Sequence, residues 1–182
     1  MTSAAMVERA RIPGWFNHGA KILDLVEQHR PKVCVELGTW QGASAIPVAR
    51  SIARWGGTLT CVDTWSGDLN DDGGSPAGKH PIMLMGCARE IVDAGVGANV
   101  RLIPAMTGDA ATFWSEPIDF LYVDADHSYE GVMADLVDEH PRYPGVKQAW
   151  DEFEQIHGLT LTHYQSTPPM QGGVQIVYGT KP

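Results

Sequence analysis

The sequence predicts a doubly wound α/β fold, in which helices cover both faces of a mostly parallel β-sheet. Four short apolar runs rich in β-branched residues have the composition of strands that are buried on both faces. Longer segments with helical spacing separate these runs, so we expect the strands to pair in parallel through right-handed crossovers. The last third of the chain alternates apolar and polar residues instead, which predicts an antiparallel hairpin.

The predicted elements begin with a helix inside an N-terminal helical segment, residues 1–30. The predicted helices cover residues 16–28, 43–55, 81–94 and 110–114, and the predicted strands cover residues 33–37, 58–62, 100–104 and 118–123. An amphipathic stretch at 146–157 precedes the hairpin, whose strands are predicted within residues 159–166 and 173–180. In a fold of this kind, ligands bind at the carboxyl ends of the parallel strands.

The composition is typical of one globular domain, and we expect a single domain over residues 1–182. Of the 182 residues, 43% are apolar and 19% are charged. The net charge of −9 includes no basic cluster, which argues against a nucleic-acid partner or an anionic membrane surface. The N-terminal region has no apolar signal segment, and no run of about 18 apolar residues occurs. We therefore expect a cytoplasmic protein.

The three cysteines, Cys34, Cys61 and Cys87, lie far apart within apolar segments. They show no C-x-x-C spacing, which a zinc site or a redox pair would require. We therefore expect three buried thiols rather than a metal site or a disulfide framework.

The first chemical motif is "VCVELGTWQGASA", in which a predicted strand containing Glu36 leads into Gly38, Gly42 and a helix. This arrangement supplies a tight turn, close approach of the backbone to a ligand and an exposed helix N-terminus. The glycine spacing is G-x-x-x-G, which differs from the G-x-G-x-x-G of dinucleotide enzymes. The motif therefore predicts a nucleotide-type binding loop.

The second motif, "LTCVDTWSGD", ends the next strand at Asp63, twenty-one positions beyond Gly42. At this distance from a glycine loop, a carboxylate can accept hydrogen bonds from ribose hydroxyls. In the alternative interpretation, Asp63 only caps a turn.

The loop motif E-x-G-x-x-x-G resembles the first motif of class I S-adenosylmethionine-dependent methyltransferases. "PIDFLYVDADHSYEGVMADL" is similar to the fourth-strand signature of a bacterial group that includes metal-dependent sugar and natural-product O-methyltransferases. With "VDTWSGD" and "PGVKQAWDEF", the resemblance spans most of the chain from Val33 onward. It implies a Rossmann-like methyltransferase sheet. The cofactor-binding residues implied are Glu36, Gly38, Thr39, Trp40, Gly42, Asp63, Thr64, Asp109, Ala110 and Asp124.

Within that set, the resemblance implies that the backbone from Gly38 to Gly42 approaches the methionyl part of the cofactor. It also implies an adenine contact after the third strand, where "MTGDAATF" places Asp109 and Ala110. Asp109 could instead be the N-cap of the following helix.

Methyl transfer requires the enzyme to hold the acceptor oxygen near the methyl carbon and to remove its proton. In "DADH", His127 is the predicted proton acceptor, because an imidazole titrates near a pH of about 6.5. Asp124 is the predicted ligand of Mg²⁺ or another divalent cation, which would lower the pKa of the acceptor hydroxyl. Alternatively, Asp126 is the N-cap of the next helix and His127 begins that helix.

The sequence departs from the family pattern after "MADL". A fifth strand should precede "PGVKQAW", but "LVDEHPRY" is too short for a helix end, a turn and a strand of about five or six residues. Either the protein lacks this strand, or the sequence omits a segment, in which case a break is expected between about Leu136 and Pro141. The omitted strand would carry further carboxylate ligands of the metal.

The predicted function is methylation of a hydroxyl on a small molecule such as a sugar or natural product, assisted by a divalent cation. An impaired or non-catalytic S-adenosylmethionine-binding protein is the alternative. A dinucleotide-dependent oxidoreductase is a third class, against which the glycine spacing argues. We expect a small-molecule acceptor as the partner, and a homodimer as the assembly.

Overall fold

The computed structural model describes residues 16, 19–66, 80–125, 161–165 and 175–179. The chain divides into two compact units, residues 1–122 and 123–182. The helices are α1 Gly19–His29, α2 Ala45–Ala53, α3 His80–Asp93 and α4 Thr107–Phe113, with a 3₁₀ turn at Gly97–Asn99. The strands are β1 Val33–Leu37, β2 Thr58–Asp63, β3 Val100–Pro104, β4 Phe120–Val123, β5 Leu161–Gln165 and β6 Gln175–Gly179.

The first four strands form one parallel sheet in the order β3-β2-β1-β4. The register places Leu37 of β1 opposite Val62 of β2, and Asp63 opposite Pro104 of β3. Strand order therefore reverses between β1 and β4, as it does in a doubly wound fold. This confirms the predicted fold class and brings the carboxyl ends of β1, β2 and β3 to one edge of the sheet.

Both faces of the sheet are covered, which explains why the strand sequences are almost continuously apolar. Side chains alternate between the faces along a strand. On one face, Val35 and Val62 form a buried cluster with Ala110 of α4. On the other face, the buried Cys61 neighbours Glu36 of β1 and Cys87 of α3.

The first two helices pack against each other, and α2 packs against β2. The apolar residues of α1 are spaced so that Ile22, Leu23 and Val26 lie on one buried face. After α2 the chain turns sharply into β2 at Gly57. A Cβ atom at this position would lie 2.8 Å from Cβ of Ile52 and 3.0 Å from the Pro31 carbonyl oxygen, so only glycine fits without displacing its neighbours.

In the second unit, β5 and β6 pair antiparallel, with Leu161 opposite Gly179 and Gln165 opposite Gln175. The predicted stretch 146–157 and the predicted break between Leu136 and Pro141 lie outside the described residues. Across the part of the chain that the structure describes, no helix is both long enough and apolar enough to cross a membrane. The prediction of a single domain over residues 1–182 stays a prediction.

Candidate functional site

The candidate site lies where β1 and β2 end, at the loop of residues 38–44 that connects β1 to α2. The backbone N–H of Gly38 donates to the carbonyl oxygen of Val62 at 2.9 Å, which ties the start of the loop to the end of β2. The Gly42 N–H donates to the Thr39 carbonyl oxygen at 2.9 Å and closes a tight turn. Gly42 has a φ of +88°, a left-handed conformation that favours glycine.

Glu36 holds this loop from below. Its side chain is only 2% exposed, so its carboxylate needs hydrogen-bond donors inside the protein. Oε2 accepts a hydrogen bond from the Thr39 hydroxyl at 2.9 Å, and Oε1 accepts one from the Ser44 hydroxyl. The carboxylate thus fastens both ends of the loop. Thr39 was predicted as a site residue, but Ser44, which lies eight residues beyond Glu36, was not.

Asp63 holds the same loop from the side of β2. Its Oδ2 atom accepts hydrogen bonds from the backbone N–H groups of Thr39 at 2.9 Å and Trp40 at 2.7 Å. Its Oδ1 atom accepts one from the N–H of Trp65 at 2.6 Å. Asp63 therefore does cap its own turn, as the alternative interpretation had it, and it also joins the loop ends of β1 and β2. Its predicted contact with ribose hydroxyls stays a prediction.

Trp65 is a component of the site that the sequence analysis missed. Its side chain is 1% exposed, and its indole N–H donates to the carbonyl oxygen of Trp40 at 2.7 Å. No sequence signal links the two tryptophans, because the contact depends on how close the ends of β1 and β2 come. The Trp40 side chain, in contrast, is 42% exposed at the rim of the loop.

The remaining predicted cofactor contacts occupy different surroundings. The Thr64 hydroxyl accepts a hydrogen bond from the Ser66 N–H at 3.2 Å, within a local turn. Ala110 is buried against Val35 and Val62, and Asp109 is exposed in the first turn of α4. The alternative that Asp109 is the N-cap of this helix is wrong, since the helix begins two residues earlier, at Thr107, and Met106 occupies the N-cap position.

The predicted catalytic and metal-binding residues belong to the second unit. Asp124 follows β4 directly and is half-buried. Asp126 and His127 lie outside the described residues. Among the residues that are described, no group of three or more His, Cys, Asp and Glu side chains could hold a metal ion. Asp124 is one potential metal ligand, and one ligand among the described residues does not make up a metal centre.

Two cysteine side chains form the wall behind the loop. A Cβ atom placed on Gly42 would lie 3.6 Å from the Cys87 Sγ atom, so α3 packs closely under the turn. Burial, assisted by the negative charges of Glu36 and Asp63, raises the pKa of Cys87 to about 12. Burial and the Glu36 charge also raise the pKa of Cys61 well above its ordinary value. Both thiols are protonated at neutral pH, so they serve as packing rather than as nucleophiles.

Taken as chemistry, the site combines a partly exposed carboxylate on β2 with a backbone turn rigidly held at the end of β1. The carboxylate is a suitable acceptor for the hydroxyls of a ribose, and the turn allows the backbone to approach a ligand closely. These residues fit the nucleoside and amino-acid parts of S-adenosylmethionine.

A family model described as a methyltransferase domain matches residues 35–144. The matched segment starts within β1 and includes the loop, Asp63 and the whole "DADH" sequence. A comparison with curated proteins returns no significant match.

Solved structures of methyltransferases share the fold. An O-methyltransferase from Bacillus cereus, in complex with SAH, has a TM-score of 0.63 and 18% identity, over 96% of this chain and 86% of that chain. A structure titled as a putative O-methyltransferase from Klebsiella pneumoniae has a TM-score of 0.64 and 20% identity, over 95% and 84%. TomG from Streptomyces achromogenes, an O-methyltransferase involved in tomaymycin synthesis, was solved with SAM and has a TM-score of 0.58 and 17% identity, over 97% and 84%.

Proposed function

The chain belongs to the methyltransferase-domain family, and from this premise we propose that it transfers the methyl group of S-adenosylmethionine to a hydroxyl of a small molecule. The cofactor part of the proposal rests on one observation. The carboxylates of Glu36 and Asp63 both accept hydrogen bonds from the loop of residues 38–44. Solved structures with this fold include O-methyltransferases, among them one in complex with SAH and one in complex with SAM. That record supports an oxygen acceptor.

In the proposed complex, S-adenosylmethionine lies across the carboxyl ends of β1 and β2 and supplies the methyl carbon. Asp63 accepts a hydrogen bond from the ribose, and the backbone between Gly38 and Gly42 contacts the methionyl part. This placement agrees with the general location of ligands in doubly wound sheets.

For the acceptor half of the reaction, we propose His127 as the base that removes the hydroxyl proton and Asp124 as a ligand of a divalent cation. The support is the D-x-x-H spacing directly after β4, since functional side chains of doubly wound folds follow the carboxyl ends of strands. A small hydroxylated molecule such as a sugar or natural product is the proposed acceptor.

The experiment that tests the cofactor proposal is titration calorimetry with S-adenosylhomocysteine. We expect the wild-type protein to bind, and Asp63→Ala to bind at least tenfold more weakly. A lost hydrogen bond to a charged acceptor costs about 1.5 to 3 kcal/mol, and each 1.4 kcal/mol is a factor of about ten in affinity. The variant also removes the hydrogen-bond acceptor of the Thr39 and Trp40 N–H groups, so the loss of affinity should not fall below this range.

The matched control is Asp93→Ala, which removes the same carboxylate from an exposed ion pair with Arg89 at the end of α3. We expect its affinity to equal that of the wild type. Unchanged affinity in Asp63→Ala would remove Asp63 from the site, and absence of binding in the wild type would overturn the proposed function. Binding without methyl transfer to any acceptor, with and without Mg²⁺, would instead favour a non-catalytic binding protein.

A further inference from the structure

Trp65 is the most completely buried large side chain beside the loop, and its backbone is in an unfavourable conformation. Its φ is +50°, a left-handed value that bulky residues rarely adopt. Two hydrogen bonds fix this conformation: the backbone N–H donates to Asp63 Oδ1 at 2.6 Å, and the indole N–H donates to the Trp40 carbonyl oxygen at 2.7 Å.

Trp40, the acceptor of the indole hydrogen bond, is also left-handed, with a φ of +51°. It occupies the turn that the Gly42 N–H closes onto the Thr39 carbonyl oxygen. Its side chain is 42% exposed, so the ring is only partly packed, and backbone contacts also hold the turn.

Hydrogen bonds hold both backbone polar groups of Trp40. Its N–H is held by Oδ2 of Asp63 at 2.7 Å, and its carbonyl oxygen is held by the indole of Trp65. The carboxylate and the Gly42 turn bond do not contact the Trp40 carbonyl oxygen, which the Trp65 indole holds. With the indole in place, the orientation of the peptide that follows Trp40 is fixed before any ligand arrives.

We propose that Trp65 is a positioning residue for cofactor binding, which holds the turn from Thr39 to Gly42 in its binding conformation through the indole N–H. The inference rests on the proposed function, because it assigns the turn to S-adenosylmethionine. Its physical effect is preorganisation: a loop already ordered in the free protein loses less conformational entropy on binding. Trp65 acts through Trp40 and contributes affinity rather than chemistry.

The test is Trp65→Phe, which keeps an aromatic ring in the buried position and removes the N–H donor. We expect S-adenosylhomocysteine to bind about three- to tenfold more weakly by calorimetry, the range for loss of one neutral hydrogen bond. Hydrogen–deuterium exchange of residues 38–44 in the free protein should become faster. If Trp65→Phe does not fold, an indole-to-benzothiophene replacement at position 65 removes the N–H while keeping the ring shape.

The chain offers a matched control in Trp55→Phe. The Trp55 indole N–H also donates to a backbone carbonyl oxygen at 2.7 Å, that of Pro31, which is not part of the loop. We expect this variant to lose some thermal stability while its affinity stays within twofold of the wild type and exchange in the loop is unchanged.

The outcomes separate the positioning role of Trp65 from the proposed function of the protein. If the wild type binds and Trp65→Phe binds within twofold of it, Trp65 is not a positioning residue, although the proposed function stands. If both variants lose affinity equally, the effect is general destabilisation and the inference is wrong. If the wild type does not bind S-adenosylhomocysteine, the proposed function fails, and the assignment of Trp65 to cofactor binding fails with it.

Discussion

At the scale of single residues, the Asp63 carboxylate holds the loop, and its proposed contact with a ribose would compete for the same lone pairs. A carboxylate offers about four acceptor positions. Among the described residues, backbone amides take two positions on Oδ2 and one on Oδ1. One position remains for a ligand, although a ribose presents two hydroxyls. We therefore expect one ribose hydroxyl to bind Oδ1 and the other to find its partner elsewhere or to displace a loop amide.

The proposed base gives a prediction at the same scale. His127→Ala should lower the rate of methyl transfer by on the order of a hundredfold to ten-thousandfold, the usual contribution of a positioned base. Affinity for S-adenosylhomocysteine should stay nearly unchanged, because His127 is not among the predicted cofactor-binding residues. In the wild type, the rate should rise with pH through the titration of the imidazole, since the neutral form accepts the proton.

The measurement is release of S-adenosylhomocysteine with a panel of phenolic and sugar acceptors. His29→Ala, at the exposed end of α1, is the control and should retain full activity. Full activity in His127→Ala would give the imidazole a structural role, and the base would then be sought at Asp126.

The residues of the site differed in how far the sequence could predict them. Glu36 and Asp63 follow from the spacing of carboxylates and glycines around two strand ends, which is a local pattern. Trp65 and Ser44 were missed, because their roles depend on contacts across the loop. A buried tryptophan normally suggests core packing, and only the position of the Trp40 carbonyl oxygen gives its N–H a role.

At the scale of elements, the strands were predicted to within two residues and the helix ends less well. A strand buried on both faces is an apolar run whose limits are visible in the sequence. Helix ends depend on tertiary contacts. α2 begins at Ala45 rather than at residue 43, and the Ser44 side chain just before it donates to Glu36. α4 begins at Thr107 rather than at residue 110.

The junction of β1 and β4 gives a prediction about elements. The Asp119 side chain, just before β4, accepts hydrogen bonds at Oδ2 from the N–H groups of Lys32 and Val33, both at 2.9 Å. These two bonds lower the pKa of Asp119. Asp119→Ala should lower the melting temperature by a modest amount, roughly 2 to 4 °C, because the carboxylate is exposed to solvent.

The pH dependence of this effect has a defined sign. A carboxyl whose pKa is lower in the folded state stabilises the protein above its ordinary pKa, and the contribution disappears as the pH falls through the folded value. The difference between wild type and Asp119→Ala should therefore shrink when the pH falls below about 4. Thermal melts at pH 7, 5 and 2.5 measure it, with Asp93→Ala as control. An undiminished difference at the lowest pH would show that the carboxylate charge is not involved.

At the scale of the whole molecule, the cysteine thiols are buried in the core, where they cannot react as nucleophiles. Cys34, Cys61 and Cys87 are all buried, as their positions within apolar segments predicted. Two of them lie behind the glycine loop, where larger side chains would push the turn outward. The sequence could predict that the thiols are buried, but not that Cys87 supports Gly42, since α3 and the loop are far apart along the chain.

Burial of these thiols predicts how the folded molecule responds to alkaline pH. Burial raises the pKa of Cys34 and of Cys87 from about 9 to about 12. Between these values the unfolded chain loses thiol protons that the folded chain keeps, so the free energy of unfolding falls as the pH rises above about 9. Below pH 9 both states keep the protons, and this contribution is complete.

The measurement is the urea midpoint of unfolding at pH 7, 9, 10 and 11, for the wild type and for a Cys34→Ala, Cys87→Ala variant. Tyrosine and lysine side chains also titrate in this range, so the decisive quantity is the difference between the two proteins. The variant should be less stable at pH 7, because shortening two buried side chains leaves small cavities. Its midpoint should then fall less steeply above pH 9, so that the two curves converge. Parallel curves up to pH 11 would mean that the thiols titrate alike in the folded and unfolded chains, and that water reaches the space behind the loop.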